Sequence, residues 1–102
     1  EKDTETWGAF SEKWIVGMIN LEYFLEENRI HLFHIYVDKE FRRQGIEKIF
    51  MEKAEEQARK IHAKKLTLNV VWGNSEAVSL YEKMGFKLIV SKNKKMEMEK
   101  IV

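Results

Sequence analysis

The chain has 102 residues, no cysteine and a formal net charge of +1. Its length predicts a single domain over residues 1–102 with one hydrophobic core, and its charge argues against nucleic acid or an anionic membrane as a partner. The lack of cysteine excludes disulfides, thiolate metal ligands and an acyl-cysteine intermediate, and it fits a cytoplasmic protein. No apolar stretch approaches the length needed to span a membrane.

The first part of the chain has the pattern of three strands. Residues 4–10 and 14–25 are rich in aromatic and β-branched residues and are separated by a polar turn at 11–13. This pattern predicts an antiparallel hairpin. A second polar turn at 26–28 precedes an apolar run over 30–37. We therefore expect a three-stranded meander.

The most regular apolar pattern covers residues 44–61 and is typical of an amphipathic helix. Its apolar residues recur at spacings of three and four, and they are Ile46, Ile49, Phe50, Ala54, Ala58 and Ile61. Residues 66–72 then form a short apolar run. We expect this run to pair in parallel with the strand before the helix, because a strand–helix–strand unit forms a right-handed crossover by default.

The last third of the chain predicts a helix and a hairpin. A helix over residues 75–84 is expected to end at Gly85, since glycine is a favourable residue just after a helix. Residues 86–91 and 96–102 alternate around a polar turn at 92–95. The predicted order is β-β-β-α-β-α-β-β, an α/β domain with a mixed sheet.

Residues 35–46 run from an apolar strand through a basic turn directly into the first helix. Backbone N–H groups at a helix start have no internal partner and lie at the positive end of the helix dipole. Arg42 and Arg43 add charge there, and Gly45 removes side-chain bulk. The segment predicts a phosphate site, although an ordinary turn with two solvated arginines explains the same residues.

A second motif covers residues 74–86 and reads Asn-x-x-Ala-x-x-x-Tyr-x-x-x-Gly-Phe. Helix capping by Asn74 or Ser75 and helix termination at Gly85 would explain it in structural terms alone. Together with the upstream Arg-x-x-Gly of residues 42–45, however, the motif resembles the GNAT superfamily of acyl-CoA-dependent N-acyltransferases. The resemblance extends over residues 4–102 and implies a GNAT-like acyl-CoA N-acyltransferase fold.

The resemblance also implies an activity. Acetyl-CoA would be the cosubstrate, without a metal, and its acetyl group would pass directly to a primary amine on a small molecule or a protein. Tyr81 is implied to protonate the departing thiolate. The implied cofactor-binding residues are Ile35 and Val37 beside a gap between the parallel strands, Arg42, Arg43, Gln44, Gly45 and Ile46 around the pyrophosphate, and Asn74 on the cofactor arm. A homodimer formed through edge strands is compatible with this fold.

The acceptor amine must lose a proton before it attacks, because a lysine-type amine has a pKa of about 10.4. The resemblance points to His31 as the base, and an unperturbed histidine pKa of about 6.5 suits that role. His34, or base action through water, is the alternative, and a histidine without chemical function is the competing interpretation. Metal binding by both histidines is disfavoured, because residues three apart on a regular strand point to opposite faces.

Two features depart from the family pattern. Glu47 stands two residues after Gly45, where the family has Gly or Ala. At about 5 Å and an effective dielectric near ~20, its charge would repel a pyrophosphate charge by about 3 kcal/mol unless the side chain turns outward. The strand and helix pair with which the family fold begins are also missing from this sequence. A catalytically weak or inactive acyl-CoA-binding or scaffold module is therefore the alternative function.

Two further residues permit more than one interpretation. Ser75 lies in a near match to the Gly-x-Ser-x-Gly element of hydrolases, but all three histidines precede it, whereas that hydrolase order places the histidine last. Trp72, at the end of the second parallel strand, is expected either to line the opening of the gap or to fill the core.

Overall fold

The computed structural model describes residues 3–102, and for residues 90–92 it describes the backbone alone. The elements in chain order are β1 (Asp3–Ser11), β2 (Trp14–Phe24), β3 (Arg29–Val37), α1 (Ile46–Lys60), β4 (Lys65–Val71), α2 (Ser75–Lys83), β5 (Lys87–Lys92) and β6 (Lys95–Ile101). This order confirms the one predicted from the sequence. Neither helix in the described part of the chain has the length and hydropathy needed to cross a membrane.

The strands form one six-stranded sheet in the order β1-β2-β3-β4-β6-β5. β3 and β4 run parallel, and every other neighbouring pair is antiparallel. The parallel pair is the one predicted, and α1 makes the crossover between its two strands. β4 thus lies at the centre of the sheet, with the N-terminal meander on one side and the C-terminal hairpin on the other.

The core lies between the sheet and α1, which packs against β3 and β4. Its most deeply buried apolar residues come from the sheet: Ile19, Leu21, Ile30, Leu32, Leu66, Leu68 and Met98. From α1, the core receives Phe50, Met51, Ala54 and Ala58. The predicted apolar helix stripe was wrong at one position, because Ile49 is 50% exposed whereas Met51 is 2% exposed. The buried stripe of α1 is therefore turned slightly from the predicted one.

Local signals set the ends of α2 and the last turn. The Asn74 side chain accepts a hydrogen bond from the backbone N–H of Ala77 at 3.1 Å, so Asn74 rather than Ser75 is the N-cap. Gly85, with φ of +97°, lets the chain leave α2 in the left-handed conformation. Asn93 and Lys94, with φ of 54° and 62°, form the turn of the β5–β6 hairpin.

The side chain of Trp72 lies at the surface. Trp72 follows β4 in a turn and is 60% exposed, and its backbone N–H donates to the carbonyl of Lys94 at 2.8 Å. Of the two roles expected for this residue, the structure excludes filling of the core.

Candidate functional site

The sheet separates between β3 and β4. Their parallel pairing ends at Leu32 and Leu68, although β3 continues to Val37 and β4 to Val71. A β-bulge in β3 accompanies the separation. Met18 pairs with Tyr36 and Asn20 pairs with Phe33, so β3 has one extra residue in this interval. His34 lies in the bulge and has a φ of +49°. Because a bulge bends its strand and increases the local twist, it turns the end of β3 away from β4. A gap opens between the two strands.

The turn after β3 is tied to the strand by side-chain hydrogen bonds. Nε of Arg42 donates to the carbonyl of Val37 at 2.9 Å, and Nε2 of Gln44 donates to the carbonyl of Glu40 at 3.1 Å. Gly45, the N-cap of α1, has a φ of +86°, a conformation that suits glycine. Gly45 offers no side-chain cap, so the first N–H groups of α1 remain available to an anion.

A cavity of about 690 Å³ lies where the end of β3, this turn, α1 and α2 meet. The sequence-predicted cofactor residues along its wall are Ile35, Val37, Arg42, Arg43, Gly45, Ile46 and Asn74. Gln44 is the predicted cofactor residue outside the wall. The wall carries four cations, Arg42, Arg43, Lys48 and Lys83, against two carboxylates, Glu47 and Glu76. The excess of cations in the wall therefore favours an anionic ligand.

Tyr81 is the buried acid of this cavity. It is 8% exposed, and its ring contacts Phe86 edge to face with centroids 5.9 Å apart. Burial, and next the charge of Glu47, raise the pKa of Tyr81 to about 12. Tyr81 is thus protonated throughout the neutral range. About two turns before it, Asn74 uses Oδ1 as a helix cap, and this cap does not use its amide N–H groups.

Glu47 lies in the wall of the cavity and is half-buried. Burial raises the pKa of its carboxyl above the ordinary value, while the charge of Arg42 acts in the opposite direction. The charge of this carboxyl also raises the pKa of Tyr81, so in this structure the side chain lies toward the cavity. An acidic group shares the wall with the cations that would attract an anion.

The sheet face turned away from α1, hereafter the histidine face, carries a second polar cluster. His31 and Thr67 are neighbours across β3 and β4, and Nδ1 of His31 lies 2.8 Å from the hydroxyl of Thr67. That hydroxyl also accepts a hydrogen bond from Arg29 at 3.0 Å. Which of the two groups donates is set by the imidazole tautomer, because the hydroxyl can serve as donor or as acceptor.

Burial, and next the charge of Arg29, lower the pKa of His31 below 6.5, whereas Glu97 and Glu22 act in the opposite direction. His31 is therefore neutral near pH 7, and a neutral imidazole is the form that can accept a proton. His31 does not line the cavity. It lies on the histidine face, beside the point where the strands separate.

A hydrogen-bonded chain also holds His34 on the histidine face. The hydroxyl of Thr6 donates to Oδ1 of Asn20 at 2.9 Å, and Nδ2 of Asn20 lies 3.0 Å from Nδ1 of His34. Phe33 stands between the two histidines, with ring centroids 6.4 Å from His31 and 4.9 Å from His34. The expectation that the histidines point to opposite faces was wrong, because the bulge at His34 breaks the alternation of the strand.

A second cavity, of about 890 Å³, lies between β1 and α1. Its floor is apolar, with Trp7, Ala9, Ile49 and Phe50, and Lys53 and Arg59 are among the charged residues at its rim. No motif in the sequence indicates this cavity. Ile46 and Ile49 of the first turn of α1 also line it, but its described lining includes neither Tyr81 nor Arg42 and Arg43. The smaller cavity, which those three residues line, is therefore the better candidate for chemistry.

Part of the α2 wall of the first cavity was not predicted from the sequence. Ala77, Leu80 and Met84 line it together with Asn74 and Tyr81. Spacings of three and four residues place all five on one side of the helix. That periodicity was a sufficient signal once Asn74 and Tyr81 had been selected.

Comparison with known proteins agrees with this geometry. Residues 1–100 match the family model for an acetyltransferase (GNAT) domain. The chain is also similar to human N-acetyltransferase 8, with 36% identity over 91 residues that cover 85% of this chain and 40% of that protein. This chain therefore spans less than half of that relative.

Solved structures show the same fold. The PaiA N-acetyltransferase from Thermoplasma acidophilum, in complex with coenzyme A, matches with a TM-score of 0.90 and 29% identity, over 98% of this chain and 62% of that chain. A GNAT family acetyltransferase from Elizabethkingia anophelis with acetyl-CoA bound has a TM-score of 0.83 at 19% identity, covering 97% and 76% of the two chains. The protein described here belongs to the GNAT acetyltransferase family.

Proposed function

We propose that this chain binds acetyl-CoA in the cavity between α1 and α2 and transfers the acetyl group directly to a primary amine. One observation carries the proposal. A single cavity joins the N-terminal turn of α1, the end of β3 beside the gap, and the buried phenol of Tyr81. An anion-binding turn, a slot for an extended arm and an acid are thus in contact with one ligand-sized space.

The pyrophosphate of the cosubstrate binds at the turn. The first N–H groups of α1 donate to its oxygens, and the helix dipole favours its negative charge. Arg42 and Arg43 add charge-assisted hydrogen bonds. Gly45 allows this turn at little cost, because its φ is +86° and any other residue there would be strained. The turn holds its shape through the bond from Arg42 to the carbonyl of Val37.

The arm of the cosubstrate lies along the end of β3. Residues 33–37 have no pairing partner on the β4 side, so backbone groups beside Ile35 and Val37 are free to bond an extended ligand. Asn74, from the start of α2, directs its amide N–H groups at the same arm. The gap also connects the cavity to the histidine face, and the acceptor amine approaches from there.

The bound thioester supplies an activated acetyl group. The neutral amine forms a C–N bond to the thioester carbon, and the C–S bond then breaks. Tyr81 donates its phenolic proton to the departing thiolate, a role that suits a phenol kept protonated by burial. His31, neutral near pH 7, takes the proton from the amine on its outward-facing nitrogen, directly or through water. This step requires the tautomer with a proton on Nδ1, facing Thr67.

The first test is calorimetric titration of the purified chain with acetyl-CoA and with free CoA at low and moderate salt. Micromolar binding that weakens with salt is expected, because phosphate contacts to cations are screened. Arg43→Gln should weaken binding and reduce its salt dependence. Arg59→Gln, at the far end of α1 and exposed, is the matched control that should change neither. Absence of binding at millimolar ligand would contradict the proposal.

Turnover is tested next by thiol release from acetyl-CoA in the presence of a panel of primary amines. A second candidate function, acyl-CoA binding without catalysis, is favoured by the presence of Glu47 inside the cavity. Tight CoA binding with no thiol release above the amine-free rate, for every amine class tested, would support that function and contradict transfer.

A further inference from the structure

Glu47 is the unusual group of the candidate site. It is the second residue of α1, it is half-buried, and it lines the cavity where the pyrophosphate is proposed to bind. In an empty helix N-terminus, a carboxylate is favoured by the helix dipole. Once an anion occupies the same position, the two negative charges compete for the same N–H groups and cations.

The surroundings of Glu47 do not neutralise it by direct contact. No cation among the side chains that the structure describes forms an ion pair with Glu47 within 4.0 Å. The titratable groups that share its cavity are Tyr36 from β3, Arg42 and Arg43 from the turn, Lys48 from α1, and Glu76, Tyr81 and Lys83 from α2. Of these charges, that of Arg42 lowers the pKa of the carboxyl, and the opposite effect of burial outweighs it.

A bound pyrophosphate changes this balance further. It brings negative charge next to a carboxyl whose ionised form burial already disfavours, and a like charge disfavours that form again. It also draws the turn cations, Arg42 among them, to its own oxygens. Both effects raise the proton affinity of Glu47 in the complex above that in the free protein. By linkage, binding must then be accompanied by proton uptake.

We propose that Glu47 takes up a proton when CoA binds, so that pH sets the affinity of the cavity for its cosubstrate. The inference rests on the proposed function of this cavity. At a pH where Glu47 is already protonated, affinity is greatest. As the pH rises, affinity falls by up to about tenfold per pH unit, and it levels off once Glu47 is ionised in the complex as well.

Glu47→Gln mimics the protonated carboxyl at nearly constant shape. Its affinity should equal the low-pH affinity of the wild type and should stay constant as the pH rises. Glu52→Gln is the matched control, because Glu52 lies on the same helix, is exposed and does not line the cavity. It makes the same charge change and should keep the pH dependence of the wild type.

The experiment is calorimetric titration of the three proteins with dephospho-CoA between about pH 5 and pH 8, in two buffers of different ionisation enthalpy at each pH. Dephospho-CoA is the probe because the terminal phosphate monoester of CoA itself titrates at about pH 6. Circular dichroism of each variant establishes that it is folded. Proton uptake by the wild type and by Glu52→Gln, together with its loss in Glu47→Gln, is the expected result.

Binding with the same pH dependence in all three proteins, or binding without proton uptake in the wild type, would overturn the role of Glu47 and leave the cosubstrate site intact. Absence of binding in all three proteins, at every pH, would instead overturn the proposed function and this inference with it. Tight binding by all three proteins at low pH, kept at high pH by Glu47→Gln and lost by the other two, would support both the cosubstrate site and the role of Glu47.

Discussion

The two faces of the sheet beside the β3–β4 gap are built differently. On the α1 face, backbone features define the site: a helix N-terminus, a glycine with a φ of +86° and a strand end without a partner. The histidine face instead carries two hydrogen-bonded groups of side chains, Arg29–Thr67–His31 and Thr6–Asn20–His34. Under the proposed function, the backbone features would recognise the fixed cosubstrate, and the side-chain clusters would face the acceptor.

Tyr81→Phe should give the largest effect. It removes the proton donor while keeping the ring contact with Phe86. We expect the transfer rate to fall by about a hundredfold or more, since general acid catalysis typically contributes that much, with the Kd for CoA unchanged. Rate and Kd are measured by thiol release and calorimetry. Tyr23→Phe is the control, because Tyr23 bonds Glu5 and Gln57 away from the cavity. An unaltered rate in Tyr81→Phe would remove it from the mechanism.

Gly45→Ala tests whether backbone shape controls the α1 face. An added Cβ meets no atom within 4 Å there, so the penalty is the positive φ alone, about 1 kcal/mol. If the turn relaxes to avoid this strain, CoA affinity should fall by about fivefold. Gly85→Ala is the control: its φ is +97°, and it lies outside the cavity wall. Equal affinity losses in both variants would point to general destabilisation.

His31→Gln tests the histidine face through stability. Because burial and Arg29 lower the pKa of His31 below 6.5 in the folded chain, the unfolded chain binds more protons just below that pH. Neutral His31 therefore contributes fully to the free energy of unfolding above pH 6.5, and this contribution is lost as the pH falls through the lowered pKa. Urea unfolding at about pH 7.5 and pH 5 should show a smaller drop in unfolding free energy for His31→Gln than for the wild type. An equal drop would contradict this.

Asn20→Asp should give the smallest energetic effect, on the order of 1 kcal/mol, with a clear spectroscopic signature. Nδ2 of Asn20 can only donate, so it fixes Nδ1 of His34 as the acceptor. Aspartate can only accept, so a proton must move to Nδ1. Imidazole nitrogen-15 shifts should report that change. Asn69→Asp, exposed on β4, should leave the His34 signals in place, and unchanged shifts in Asn20→Asp would contradict the assigned hydrogen bond.

Much of the fold was predictable because its signals are local. The apolar period of α1, the polar turns between strands and the Asn74 and Gly85 signals at the ends of α2 each depend on a few neighbouring residues. They gave the element order and the parallel β3–β4 pair, both of which the structure confirms. The geometry of the basic turn was predictable for the same reason, since strand, basic turn and helix are contiguous in the chain.

The errors occurred where distant elements compete. The bulge at His34 depends on β3 pairing with β2 along its whole length while it leaves β4 after Leu32. The residues near His34 carry no sequence signal for a bulge. An assumed strict alternation therefore placed the two histidines on opposite faces. Likewise, Met51 rather than Ile49 is buried because the packing of α1 against the sheet fixes the rotation of the helix.

Residue type and short-range spacing were enough to predict the secondary structure, the basic turn before α1, the family resemblance and the acidic residue where the family has a small one. The packing of distant elements was needed to show that Glu47 lines the cavity, that Tyr81 shares that cavity with the turn, and that both histidines lie on the other face. Side-chain direction and pKa depend on burial and on neighbours that the fold brings together from distant positions.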